Sequence, residues 1–361
     1  MKKTLFPIIL FLLNIAILLI VTVCFLRSYS ILIYRKHSKP EFVKLIEDLK
    51  IKGIDKNYEL PELSDSRGFD PRKPHPYCGF KTQAAVRFGE NDYINALGHR
   101  SPTLAQKEKG VFRIALIGGS AAFAGATMGQ TIIAMLADLF MKHGVKVEYI
   151  NAAVVSAISN QELSILVHDL IDLKVDVLIS YDGYNDIISP LYYNGRIGWP
   201  PFRWDPPLDH PYPDQVKQLA PSYYPRINPT GGNMNSEKIL QITNNYLNNI
   251  DKIATICKAF NIQYMAILQP LKDFSRNKCQ TNEKLMPVDL FYCEIQSVFE
   301  QWDSEKKMNA SYISLADYLK DKRDVFTDES HINDRGNALV ARIIFEIINA
   351  RKILKRNNGQ I

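Results

Sequence analysis

Four side chains, far apart along the chain, could together carry out acyl transfer. Ser120 follows an apolar run, residues 112–117, and two glycines, Gly118 and Gly119. A serine at a glycine-lined turn from strand to helix is a common way to expose a hydroxyl nucleophile. Gly-Gly-Ser also makes ordinary turns, and serine caps helices well. The pattern gains weight from two later segments, Gly183-Tyr184-Asn185-Asp186 and Asp328-Glu329-Ser330-His331. A serine hydroxyl is a weak nucleophile and needs a base. His331 supplies an imidazole for that task. Asp328, three residues earlier, is spaced to fix the imidazole tautomer and stabilise the imidazolium. Its competing reading is a cap for the last helix, and Asp186 and Asp334 are the rival carboxylates. Asn185 offers amide hydrogens to an oxyanion without adding charge; its competing reading is a turn-forming asparagine. The backbone N–H groups of Ser120 and Ala153 are the other expected oxyanion donors.

The elements that would position these groups follow from hydrophobic patterning. From residue 111 the chain alternates short apolar runs with longer amphipathic ones. Strands are predicted at 112–117, 147–151, 175–181, 263–269 and 311–315, and helices at 130–143, 160–173, 236–260, 285–303 and 335–354. Continuous apolar strands between helices indicate a parallel sheet covered on both faces. Right-handed crossovers then give a doubly wound α/β domain, whose ligands bind beyond the carboxyl ends of the strands. In this reading Asn151 and Ala153 lie at the end of the second strand, and Ser120, Gly183, Asn185, Asp328 and His331 follow strand ends. A Pro- and aromatic-rich insert, 189–235, leaves directly from the Asn185 turn and contains Trp199 and Trp204. Loops of this length in a compact domain are functional or disordered, and its aromatic content argues against disorder.

The charge is informative once located. The chain has 44 Lys and Arg against 38 Asp and Glu. Six of the basic residues and no acid lie in 1–39, which leaves 40–361 neutral overall. The folded part therefore gives no charge-based reason to invoke nucleic acid. Those six flank residues 5–26, an uncharged apolar run long enough to cross a bilayer as a helix. A cleaved signal peptide is the competing reading; the run exceeds a usual signal core and no A-x-A-like site follows. The expected organisation is an anchor with a basic juxtamembrane stretch at 1–40, an extended lead-in packed on the domain at 41–110, and a catalytic domain at 111–355. The lysines and arginines on the two flanks are close to balanced and lean slightly against an exported C-terminal domain. No Cys-x-x-Cys pair or Cys/His cluster has zinc spacing, and no metal or organic cofactor is expected. Cys279 and Cys293 flank a loop, and their spacing leaves pairing open.

In chain order, the segments Gly118-Gly119-Ser120, Asn151-Ala152-Ala153, Gly183-Tyr184-Asn185-Asp186 and Asp328-Glu329-Ser330-His331 resemble the four blocks of the SGNH hydrolases, or GDSL esterase/lipase superfamily. The resemblance spans 111–350. The lead-in, with His75-Pro76-Tyr77 and Asn95 to Arg100, is similar to that of membrane-anchored envelope members. Two positions depart from the pattern. The first-block Asp is Gly119, and the second-block glycine is read as Ala153, which would be strained if the position needs a positive φ.

The resemblance implies a flavodoxin-like, doubly wound, five-stranded parallel sheet and an exported catalytic domain. It implies ester hydrolysis through an acyl-enzyme, with Ser120, His331 and Asp328 as the triad and Ser120, Asn185 and Ala153 at the oxyanion. Gly119, Gly183, Tyr184, Trp199 and Trp204 are the expected substrate-binding residues. The aromatic insert points to an O-acylated envelope glycan, because flat rings suit sugar faces. Three other readings stand beside it: an O-acyltransferase with the same triad, a lipid esterase, and an inactive glycan-binding protein.

Overall fold

The computed structural model describes residues 72–75, 77–89, 91–192, 197–198, 234–281 and 285–355. All belong to the unit Leu60–Ile361. The apolar run 5–26, Trp199, Trp204 and most of the 189–235 insert lie outside the described residues. Among the described residues, no helix is long and apolar enough to cross a membrane.

The lead-in forms two short antiparallel hairpins, β1 (Arg72–His75) with β2 (Gly79–Thr82) and β3 (Val86–Gly89) with β4 (Asp92–Ile94). Strands of three or four residues are too short to show a readable alternation, so the sequence predicts none here. The lead-in then fastens to the domain through buried groups. Gln161 Nε2 donates to the Cys78 carbonyl at 2.7 Å, and the Arg100 N–H donates to the Asn151 carbonyl at 3.0 Å.

The central sheet contains β5 (Phe112–Gly118), β6 (Val147–Asn151), β7 (Val177–Asp182), β8 (Gln263–Leu268) and β9 (Ser311–Ser314). Every neighbouring pair is parallel, in the order β6-β5-β7-β8-β9. This is the expected doubly wound, flavodoxin-like arrangement. All seven residues of β5 are buried, as a central parallel strand requires. Side-chain alternation splits its residues between two cores. Ala115 and Ile117 join one layer with Leu178, Ala266 and Leu268, while Ile114 and Leu116 join the other with Ile179, Met265 and Ile267.

The helices are α1 (Ser120–Phe123), α2 (Ile132–Lys142), α3 (Ser159–Ile165), α4 (Tyr184–Tyr192), α5 (Ser236–Ala259), α6 (Pro287–Ser304) and α7 (Asp334–Ala350). Buried residues of α3, α5 and α6 line the first core, and those of α2 and α7 the second. The helix predicted at 160–173 is not one regular helix. It is α-helical to Ile165, π-helical over Leu166–Leu170 and 3-10 over Ile171–Leu173, and it ends on left-handed Lys174 (φ 54). Strand β7 begins two residues later than predicted, although Asp176 just before it still bonds both neighbouring strands, its N–H donating to the Arg113 carbonyl at 2.8 Å and its carbonyl accepting the Gln263 N–H at 2.9 Å. A disulfide joins Cys279 to Cys293, tying the segment before α6 to that helix.

Candidate active site

The carboxyl ends of β5, β6 and β7 and the loop before α7 bring the expected groups together. Ser120 opens α1 directly after β5, so its backbone N–H belongs to the first turn and has no helical partner. Ser120 Oγ lies 2.7 Å from His331 Nε2. On the other side of the ring, His331 Nδ1 lies 2.7 Å from Asp328 Oδ2. A carboxylate only accepts, so Nδ1 carries the hydrogen and Nε2 is left to accept the serine proton.

The Asp328–His331 segment is a tight turn that Asp328 organises itself. Its Oδ1 accepts the backbone N–H of Ser330 at 2.9 Å and of His331 at 2.8 Å. Burial pushes this carboxyl up, but the two backbone bonds and the imidazole outweigh it and hold it below the ordinary carboxylate value. Asp328 therefore stays ionised beside the ring. The rival carboxylates are engaged differently. Asp334 Oδ1 accepts the Ala126 N–H at 2.9 Å, and Asp186 bonds to Ser159. The capping of α7 falls to Asn333, whose side chain accepts from the Gly336 N–H.

Asn185 sits in the first turn of α4, and its Nδ2 donates to the Ala157 carbonyl at 2.8 Å. That bond uses one of two amide hydrogens. The amide lies against the nucleophile turn: a Cβ added to Gly119 would fall 2.2 Å from Asn185 Nδ2. A side chain at 119 would therefore push on the Asn185 amide. Gly119 is buried, and so is Gly183. Gly183 has φ 115, and a Cβ there would meet Leu268 Cδ1 at 2.5 Å. Both glycines expected to bind substrate therefore shape the turns, and neither offers surface to a ligand. Tyr184 is half-buried, and its hydroxyl donates to Glu329 Oε2 at 3.3 Å, bridging the Asn185 turn and the His331 loop. Trp199 and Trp204 lie outside the described residues.

Ala153 requires a correction. Its N–H donates to Asn151 Oδ1 at 3.2 Å, and the residue is buried, so this hydrogen is already engaged. Its backbone is not left-handed either. The left-handed residue of this loop is Ser156, at φ 65, inside a turn closed by the Ala157 N–H to the Val154 carbonyl at 2.9 Å. The strained position sought in the second block is therefore Ser156.

Several contributors escaped sequence reasoning. Arg100, paired with Asp92, donates to the carbonyls of Phe123 at 3.0 Å and Gly125 at 3.1 Å. Asn337 Nδ2 donates to the Ala124 and Gln130 carbonyls at 3.1 and 3.0 Å. These bonds hold the loop that follows the nucleophile. Deeper in, Glu162, Asp182 and Asp186 are all buried, and no Lys or Arg among the described residues pairs with them. Only Asp186 carried a sequence signal, through its place after Asn185.

No family model matches the chain, and no curated protein matches it. Solved structures do. One is the lipase/acylhydrolase from Enterococcus faecalis, at 15% identity over 66% of this chain and 96% of that one, with a TM-score of 0.42. Another is an acetylxylan esterase from Geobacillus stearothermophilus, at 13% identity over 66% of this chain and 94% of that one, with a TM-score of 0.43. A third, also an acetyl xylan esterase, is 14% identical over 66% of this chain and all 100% of its own length, with a TM-score of 0.42.

Proposed function

We propose that this chain is a serine hydrolase of the SGNH type that cleaves ester bonds through an acyl-enzyme. The observation that carries the reading is the unbroken line from Ser120 Oγ to His331 Nε2 and from His331 Nδ1 to Asp328, each contact 2.7 Å. Ser120 Oγ attacks the ester carbonyl carbon as His331 Nε2 takes its proton. The resulting oxyanion is met by the Ser120 N–H and the second amide hydrogen of Asn185. His331 returns the proton to the leaving alkoxide as the C–O bond breaks. Water then attacks the acyl-enzyme, His331 takes its proton and passes it to Ser120 Oγ, and the free acid leaves. Asp328 stabilises the imidazolium in both halves.

The natural substrate in this reading is an O-acyl group on a cell-envelope glycan, and the domain is exported and tethered by residues 5–26. The Trp- and Tyr-rich composition of the insert that follows the Asn185 turn in sequence supports the glycan. The Cys279–Cys293 disulfide supports an oxidising compartment.

The decisive experiment is turnover of a short aryl acetate by the purified chain, with Ser120→Ala and His331→Ala beside it. Each variant is expected to lose at least about 10³-fold in kcat. Wild-type activity retained by either one removes the triad assignment. Activity rising steeply with acyl-chain length would replace the glycan by a lipid. In intact cells, Cys279 and Cys293 should resist alkylation until reduced; ready alkylation would place the domain in the cytoplasm.

A further inference from the structure

Behind the oxyanion turn lies a set of acids that the triad does not use. Glu162 is on α3, Asp182 ends β7 and Asp186 is in the first turn of α4; they are 0%, 3% and 5% exposed. Asp186 is satisfied, accepting the Ser159 N–H at 3.0 Å and the Ser159 hydroxyl at 2.6 Å. Asp182 Oδ1 accepts the Tyr246 hydroxyl of α5 at 2.6 Å. Counted as two carboxylates, however, Glu162 Oε1 and Oε2 and Asp182 Oδ2 have no donor at all. The other titratable groups facing them are Tyr292 of α6, whose hydroxyl is also without a partner, and Tyr264 of β8, which bonds to Ser180. None is a cation. Two unpaired buried carboxylates side by side would cost far more than the fold can supply. One proton between them removes a charge and gives one Glu162 oxygen and Asp182 Oδ2 a partner.

We propose that Glu162 and Asp182 share one proton at working pH, and that this O–H···O bond is a positioning device that sets the spacing between the Val154–Ala157 turn and the Asn185 turn, and through it the place of the Asn185 amide. Glu162 belongs to the helix that continues the Val154–Ala157 turn, and Asp182 leads directly into Gly183 and Asn185. The bond therefore spans the same two segments as the Asn185–Ala157 contact. Burial first, then the neighbouring Asp182, pushes Glu162 well above the carboxylate range. Burial also raises Asp182, although the bonds from Glu162 and Tyr246 oppose it. The proton is kept through neutral pH and lost at higher pH, when repulsion between two buried charges drives the segments apart and carries Asn185 with them.

The kinetic consequence rests on the serine-esterase reading; the shared proton does not. Infrared spectra of the full chain at neutral pH are expected to show a protonated-carboxyl band beside the one that Asp186 contributes, and Glu162→Gln removes it while leaving that of Asp186. Above the range in which Asp186 titrates, about 7, denaturation midpoints should go on falling as pH rises in the wild type and stay level in Glu162→Gln, whose amide donates at every pH. On an aryl acetate, wild-type kcat should fall at least about tenfold on the alkaline side with KM little changed, as befits a displaced oxyanion donor. Glu162→Gln should keep its kcat there. If Glu162→Gln does not fold, Asp182→Asn replaces it. A wild type with no protonated-carboxyl band beside that of Asp186, or a folded variant that keeps this second band or follows the wild-type pH profile, overturns the proposal. A wild type that turns over no ester defeats the esterase reading, and the band and the denaturation series still decide the shared proton.

Discussion

Asp328 and the Glu162–Asp182–Asp186 group lie on opposite sides of the same candidate site and have opposite electrostatics. The Asp328 side chain is 55% exposed and accepts two backbone N–H groups and an imidazole, which hold it below the usual carboxylate value. The second group is buried and has hydroxyls and other carboxyls for neighbours. Burial first, then the charge of Asp182, pushes Asp186 up to about 7. One residue type thus serves two purposes. Where donors converge it is a permanent anion that can steady a cation. Where they do not it is a neutral or shared acid that can only hold structure. Pairs of titratable groups whose environments push them apart in this way mark a division of roles.

The largest effect that tests this division is Asp328→Asn. The amide would offer a donor where the ring already has one and favour the wrong tautomer, so kcat is expected to fall about 10²–10⁴-fold. Glu162→Gln, measured at pH 6, should fall far less, because the proton it replaces is already present. Single-turnover hydrolysis of an aryl acetate gives both numbers. Equal losses would erase the distinction between anion and shared acid.

Asn185→Ala comes next. Removing one oxyanion donor costs about 10²–10³-fold in kcat. The side chain is half-buried and donates to the Ala157 carbonyl, so the loss should appear in kcat with little change in denaturation midpoint. A fall in midpoint with kcat preserved would make Asn185 a turn residue only. Gly119→Ala should act through the same amide and more weakly. Its Cβ would overlap Asn185 Nδ2, a side-chain end that can swing away, so a loss of about tenfold is expected. In the Gly119→Ala, Asn185→Ala double variant the two losses should fail to add; additivity would separate the two positions.

The parts legible in the sequence were those written in local spacing. Asp328 reaches His331 because three residues of turn suffice, and the strand ends that carry Ser120 and Asn185 are marked by continuous apolar runs and glycine. What stayed hidden depends on tertiary burial or on a single backbone angle. Glu162 lies in a helix whose pattern does not distinguish an inward-facing acid from a solvated one, and its partner Asp182 is twenty residues away. Ala153 and Ser156 are both small residues three apart in one loop, and only φ shows which takes the left-handed position. The hairpins of 72–94 are too short for a period of two to register.

The smallest effect separates the two acid sets by sign. Asp328 is held below its unfolded value, so it stabilises the fold above about pH 4 and that contribution is lost as pH falls. Its exposure limits the contribution to less than about 1 kcal/mol. Asp186 is raised from 3.8 to about 7, so its contribution is present below pH 3.8 and is lost as pH climbs through 7. Urea denaturation of the wild type, Asp328→Asn and Asp186→Asn between pH 3 and pH 8 reads both. Asp328→Asn should track the wild type closely, with a slight deficit only above about pH 4. The wild type should lose stability from pH 4 to pH 8, and Asp186→Asn should lack that part of the slope. A deficit for Asp328→Asn that grows toward acid, or an Asp186→Asn curve parallel to the wild type, would mean that burial does not set the charge of these carboxyls, and the contrast between the two sides of the site would fall with it.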